Sequence, residues 1–188
     1  HPAFPVAPHT RLLRNLGAAA PGHFEDVTAA AGLDLGMETG SSALGNPTGA
    51  FQFTPRFSDL DGDGWPDLAI AGDFLTSHLF WNNGDGTFSD VTTEAGVGHP
   101  GWGASAAFFD ADQDGDLDLF IANYVNWSLG AELPCTGAGG GLDYCNPTNF
   151  DAPAQDVLFM NEGGGTFIDR SEAAGLSSAF GNGFGVVV

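Results

Sequence analysis

One pattern is written three times along the chain, and a fold must find room for all three copies. The stretches are LLRNLGAAAPGHFEDVTAAAGL (12–33), LFWNNGDGTFSDVTTEAGV (79–97) and LFMNEGGGTFIDRSEAAGL (158–176). Each reads as a short strand, an Asn- and Gly-rich turn, and a second strand anchored by Phe24, Phe88 or Phe167. Asn-Gly and Gly-Asp-Gly turns supply the positive φ angles that tight hairpins need. Thr28, Thr92 or Ser171 then precedes small residues and a Gly, a pattern that suits one capped helical turn closed by a left-handed glycine. A unit this small cannot bury its apolar face alone, so repetition implies stacking.

The second and third copies are preceded by the runs FSDLDGDGWPDLAIA (57–71) and FFDADQDGDLDLFIA (108–122). Ahead of each lies a strand-like segment, GAFQFTPRF or GWGASAAFF; after the acids comes DLAIA or DLFIA, which reads as a buried strand. A complete unit is strand, acidic loop, strand, strand, turn, strand. That is a four-stranded antiparallel sheet of about 50 residues, the size of a propeller blade. The expectation is an all-β chain of β-propeller blades with calcium loops, part of a larger propeller. Residues 1–48 form an N-terminal segment with the closing hairpin of a partial blade, 49–100 a blade with an acidic loop, 101–179 a second such blade, and 180–188 the first strand of a further, incomplete blade. An insertion of about 28 residues, roughly Val125–Gln155, stretches the 101–179 unit and maps to a loop on one face.

The acidic runs follow one spacing: Asp59, Asp61, Asp63, Gly64 and Asp67 in the first, Asp110, Asp112, Asp114, Gly115 and Asp118 in the second. Alternate carboxylates on a tightly turning backbone can converge on a point. Calcium takes about six to eight hard oxygen ligands, which these aspartates, the backbone carbonyl of Trp65 or Asp116, and water can supply. Magnesium demands stricter geometry and keeps more of its water, and zinc prefers His or Cys. Two calcium ions are therefore expected. Without a cation the crowded carboxylates repel and their pKa values should rise. An EF-hand does not fit, because its twelfth position, a bidentate Glu there, is Ile70 or Ile121 here. The competing reading is a solvated acidic turn that binds nothing.

The acidic loop between two strands, the NxGxGTF hairpin and the DVTxxAGL tail together resemble the FG-GAP/VCBS repeats of the integrin α-subunit propeller, bacterial surface proteins and the cartilage-acidic-protein group. The resemblance spans residues 9–188 apart from the insertion. It implies a β-propeller with calcium in loops of individual blades, and an exported protein. FGNGFG (180–185) is the nearest approach to the literal signature of the repeat, and the first hairpin has no acidic loop of its own.

Composition narrows the partners. The formal net charge is −20, with four Lys or Arg residues in 188, which argues against nucleic acid and against anionic membrane surfaces. It fits a cation-binding or halotolerant surface, and two bound divalent cations would bring −20 to −16. No apolar run approaches a membrane span, so membrane insertion is not expected. Cys135 and Cys145 share the insertion; a disulfide between them implies an oxidising compartment, the alternative being free thiols. An extracellular, cell-surface or periplasmic location follows.

No catalytic constellation is legible, and the chain is expected not to be an enzyme. The five histidines (His1, His9, His23, His78, His99) are scattered and read as surface or turn residues. GAGGGL (137–142) lacks the Lys-Ser/Thr of a phosphate loop. Trp102, Trp127, Tyr124 and Tyr144 could make a binding surface or simply pack the insertion. Three functions compete: a non-catalytic binding or adhesion module for an unidentified protein or glycan ligand; a structural subunit of a filament, surface layer or complex, self-associating or completed by strands of other chains; and a scaffold or accessory domain of an extracellular enzyme.

Overall fold

The computed structural model describes residues 10–34, 52–73, 76–127, 133–143, 145–178 and 180–186. Among them every regular element is a strand or a short 3-10 turn. In chain order the strands are β1 (Leu13–Asn15), β2 (Phe24–Asp26), β3 (Gln52–Ser58), β4 (Asp67–Gly72), β5 (His78–Asn82), β6 (Phe88–Asp90), β7 (Gly103–Phe109), β8 (Asp118–Asn123), β9 (Cys135–Thr136), β10 (Leu142–Asp143), β11 (Ala154–Gln155), β12 (Val157–Asn161), β13 (Phe167–Asp169) and β14 (Phe180–Gly181).

Two four-stranded antiparallel sheets carry the architecture, β3-β4-β5-β6 and β7-β8-β12-β13. They are the same meander; in the second, the insertion separates β8 from β12. The copies agree even in a flaw. The register of β3 slips between Gln52 and Thr54, and that of β7 slips at the equivalent place, between Gly103 and Ser105.

Strand β4 shows why the apolar run after the acids must be a central strand. All six of its residues are buried. Successive side chains point to opposite faces. Leu68 and Ile70 pack with Ala31, Leu33 and Phe80 on the side of the first hairpin, while Ala69 and Ala71 join Leu79, Ala106, Leu119 and Phe159 on the side of the second sheet. The sheets are also tied by hydrogen bonds, from Thr54 Oγ1 to the Ala104 carbonyl (3.0 Å) and from Arg56 Nε to the Ala106 carbonyl (3.1 Å).

The three hairpin tails fold alike. A single helical turn forms in each, with Ala31, Ala95 and Ala174 donating their N–H groups to the carbonyls four residues earlier. The hydroxyl of Thr28, Thr92 or Ser171 does not cap that turn as expected. It accepts the backbone N–H of Leu12, Leu79 or Leu158 and so staples the tail to its own hairpin. The capping oxygen belongs to the aspartate two residues earlier, Asp26, Asp90 or Asp169, which accepts the N–H of the Thr or Ser. Asp is the better acceptor for such a turn.

Tails also join successive units. The N–H of Phe88 donates to the Ala31 carbonyl (2.9 Å), and that of Phe167 to the Ala95 carbonyl (2.8 Å). The glycine after each alanine lies so close that a Cβ on Gly96 would sit 2.8 Å from the Phe167 carbonyl oxygen.

In the insertion, Cys135 and Cys145 are bridged, and β9 and β10 form a small hairpin beside the bridge. Among the described residues of the segment 180–188, β14 is the strand, and it pairs with β11 of the insertion. Beyond β14, Gly183 donates its N–H to the Asn123 carbonyl of β8 and Val186 its N–H to Ser105 Oγ of β7. Of the aromatics near the insertion, Trp102 stacks on Phe53, and Tyr124 meets Trp102 and Phe184 edge-on. Tyr144 lies outside the described residues.

Gly96 and Gly175 share a left-handed backbone, φ +79° and +82°, but nothing lies within 4 Å of a Cβ on Gly175. Ala at Gly175 should cost about 1–2 kcal/mol from backbone strain alone. Gly96→Ala should cost clearly more, because it also forces β13 off its docking point; paired urea denaturation curves of the two variants measure the difference.

Candidate metal centres

Both acidic turns follow one backbone path. The fourth position is left-handed in each (Gly62 φ 78°, Gln113 φ 68°), and so is the sixth (Gly64 φ 93°, Gly115 φ 102°). The aspartates themselves hold this path. Asp59 accepts the N–H groups of Gly62 and Gly64, and Asp110 those of Asp114 and Gly115. Asp61 accepts from Asp63, and Asp63 from Trp65; Asp112 accepts from Asp114, and Asp114 from Asp116.

Convergence is real for three carboxylates per turn. Asp59, Asp61 and Asp67 each offer an oxygen within 4.8 Å of the others, and Asp110, Asp112 and Asp118 do the same. Asp63 and Asp114 are not in these groups; they stand on the solvent side of their turns. Trp65 is exposed, with its indole laid against Gly84 of the neighbouring hairpin turn, and Asp116 is exposed in the second turn. The donor set, hard oxygens at closely similar positions in two turns, fits a hard divalent cation.

Asp67 and Asp118 differ from the rest, since both are 0% exposed. One oxygen of Asp67 accepts the N–H of Leu60 (2.8 Å), and the other that of Asn82 (3.0 Å). One oxygen of Asp118 accepts from Ala111 (2.7 Å), and the other from Asn161 (2.8 Å). Each buried carboxylate thus joins the start of its acidic turn to the Asn of the NxGxGTF hairpin. Burial pushes the Asp67 carboxyl up, its two N–H donors pull it down, and Asp61 and Asp63 push it further up. Asp112 is raised as well, by loss of hydration first and by Asp114, Asp118 and Asp110 around it. A cation among these groups would oppose those rises.

The hairpin asparagines were not anticipated as part of the site. Asn161 is buried, and its Nδ2 donates to the Leu60 carbonyl in the first turn (3.0 Å) and to Leu117 in the second (3.3 Å). It therefore links the two centres through protein. The signal was present in the sequence, because each acidic loop is followed by an NxGxG turn. Only the fold reveals that the Asn faces back into the loop.

Two histidines depart from the surface role expected of them. His78 Nδ1 lies 2.9 Å from Asp90 Oδ2, and His99 is buried with Nε2 2.8 Å from Asn123 Oδ1. Burial holds the His99 imidazole below its ordinary pKa, against the opposing effect of Asn123. Both line a cleft of about 440 Å³ with Ser77, Thr92 and Glu94. His1 and His9 lie outside the described residues.

Residues 59–121 match the family model of an FG-GAP-like repeat. That stretch is similar to an FG-GAP-like repeat. The match begins at the first aspartate of the first turn and ends inside β8, so it takes in both acidic turns and the hairpin between them. No curated protein matches the chain.

Removing the Asn161 side chain leaves the Leu60 and Leu117 carbonyls without their donor. Asn161→Ala should cost about 1–3 kcal/mol in chemical denaturation, with a smaller loss for Asn82→Ala, whose Nδ2 serves the exposed Pro66 carbonyl. Asp90 gives a pH test. Burial pushes this carboxyl up, but His78 and the Thr92 hydroxyl and N–H outweigh it and bring it from 3.8 down to about 2. Its ionised form therefore stabilises the fold above pH 3.8, and the contribution fades as pH falls through 2. Asp90→Asn should lose about 1 kcal/mol at neutral pH, allowing for solvent screening, and the gap to wild type should close between pH 4 and 2 in matched unfolding curves.

Proposed function

We propose that each acidic turn binds one calcium ion and that the chain is an exported, calcium-stabilised segment of a β-propeller, acting as a non-catalytic binding or adhesion module. The observation that carries this reading is the convergence of Asp59, Asp61 and Asp67, repeated by Asp110, Asp112 and Asp118. Asp63 and Asp114, with the carbonyls of Trp65 and Asp116, complete the ligand sets with water. The cation supplies charge neutralisation where three carboxylates meet. The protein supplies a turn already folded around that point.

Successive units, 49–100 and 101–179, serve as blades, with 1–48 and 180–188 belonging to their neighbours. The insertion Val125–Gln155, stapled by Cys135–Cys145, is the surface offered to a protein or glycan ligand; a disulfide favours an extracellular, cell-surface or periplasmic setting. The match of residues 59–121 to an FG-GAP-like repeat supports this reading.

Calcium titration followed by calorimetry should give two ions per chain. At about one hundred times its Kd, each ion adds about 2.7 kcal/mol, which raises Tm by about 5–10 °C in a chain of this size. Asp61→Ala should leave one ion bound, and the double variant with Asp112→Ala should leave none. A stoichiometry of two in the double variant, or a wild-type Tm equal in calcium and in chelator, would refute the reading.

A further inference from the structure

The cleft beside the second tail is lined in part by side chains that the other two copies of the hairpin lack. The repeat aligns Thr93 with Ala29 and Glu172, Glu94 with Ala30 and Ala173, and His99 with Leu35 and Ser178. The other lining groups are common property. Asp90 and Thr92 recur as Asp26 with Thr28 and as Asp169 with Ser171, and they build the tail turn in every copy. The His78–Asp90 pair has its counterpart in Arg11–Asp26 (3.6 Å). Thr93, Glu94 and His99 are therefore not what the hairpin needs in order to fold. The cleft lies at the end of the sheet away from the acidic turn, since His78 opens β5 while Asn82, at its far end, bonds to Asp67.

His99 is 7% exposed. Asn123 Nδ2 is committed to the Gln155 carbonyl (2.6 Å), so Asn123 Oδ1 faces the ring and accepts its Nε2–H. That leaves Nδ1 as a lone-pair acceptor. Burial, which holds the imidazole below its ordinary pKa, keeps it so at neutral pH. Nδ1 has no hydrogen bond among the described residues, where no fully enclosed side-chain N or O goes unpartnered, so it opens onto the cleft that His99 lines. The Glu94 carboxylate, the Thr93 hydroxyl and the Gly98 N–H line the same cleft, also without a hydrogen bond among the described residues. Acceptors and donors thus stand together unspent. An organic cation brings donors only; an anion brings acceptors only and meets a chain of net charge −20. A hydroxyl group does both. A bare metal ion fits poorly, because among the described residues the acidic turns are where three ligand groups come within 4.8 Å. The volume, about 440 Å³, falls within the roughly 300–1,000 Å³ of small-molecule sites. We propose that this cleft binds a neutral sugar, free or at the end of a glycan, whose hydroxyls donate to His99 Nδ1 and Glu94 and accept from Thr93 and the Gly98 N–H. The proposal rests on the reading of the chain as a binding module and gives it a site apart from the insertion and from both acidic turns.

The test is an array of immobilised neutral and acidic oligosaccharides, followed by calorimetry with the sugar that binds best. Wild type should bind neutral sugars. Competition by a soluble methyl glycoside supports recognition of a single sugar residue, and competition only by the parent oligosaccharide supports a glycan chain. Thr93→Ala, Glu94→Ala and His99→Ser each install a residue that another copy carries at that place, and each should weaken affinity at least tenfold. Thr93→Ala and Glu94→Ala should leave Tm where it is, because neither side chain bonds within the protein, and circular dichroism establishes that His99→Ser is folded. A wild type that binds no neutral sugar, or acidic glycans alone, overturns the proposal; two calcium ions titrated on the same sample would then leave the calcium reading standing without it. Sugar binding undiminished in both Glu94→Ala and His99→Ser places the ligand elsewhere on the chain and overturns the cleft as its site.

Discussion

Everything in this fold turns on two carboxylates with no exposure to solvent. A buried aspartate is costly unless its oxygens are satisfied. Asp67 and Asp118 meet that condition with backbone N–H groups from two directions, the second residue of the acidic turn and the Asn that opens the hairpin. The arrangement places a negative charge beneath the turn and fixes the distance between a loop and a hairpin that are fifteen residues apart in one sheet and forty-three in the other. The insertion between β8 and β12 is tolerated because its two ends are already held by this bond and by the ladder of β8 with β12.

The second constraint is the tail. An Ala-Gly pair is small enough for the next unit's backbone to approach, and the left-handed glycine turns the chain away immediately afterwards. The carbonyl of that alanine then sets the register between units. Sheet-to-sheet packing by side chains alone would leave that register loose, since Ala, Leu and Val fill space without direction. A backbone hydrogen bond at a fixed place supplies the direction.

Much of this could be read from the sequence. The three hairpins, the order of strands within a unit, the buried strand after the acids and the apolar character of the core all follow from spacing and periodicity. Thr28, Thr92 and Ser171 were misread as caps because a Thr before small residues suits that role equally well; only the fold shows Leu12, Leu79 and Leu158 presenting their N–H groups to those hydroxyls. His78 and His99 read as surface or turn residues for a different reason. A lone His carries no periodic signal, and its partners, Asp90 for His78 and Asn123 for His99, arrive from 12 and 24 residues away.

The internal hydrogen bonds of the acidic turns bear on how a cation would act. In both turns the carboxylates already accept backbone N–H groups, so the loop path is set by protein alone, and crowded charge is the unfavourable part. Asp67 and Asp112 are both pushed toward protonation, by loss of hydration first and by the neighbouring aspartates after it. A cation arriving here therefore relieves repulsion within a formed turn, rather than organising a disordered one as structural zinc does in small domains. Binding to such a site costs little conformational entropy. The stability it contributes should then depend on the charge of the turn more than on its length, and protons compete with it directly. Under the proposed reading, acid would weaken calcium binding, because each proton taken up removes charge that the ion would otherwise neutralise.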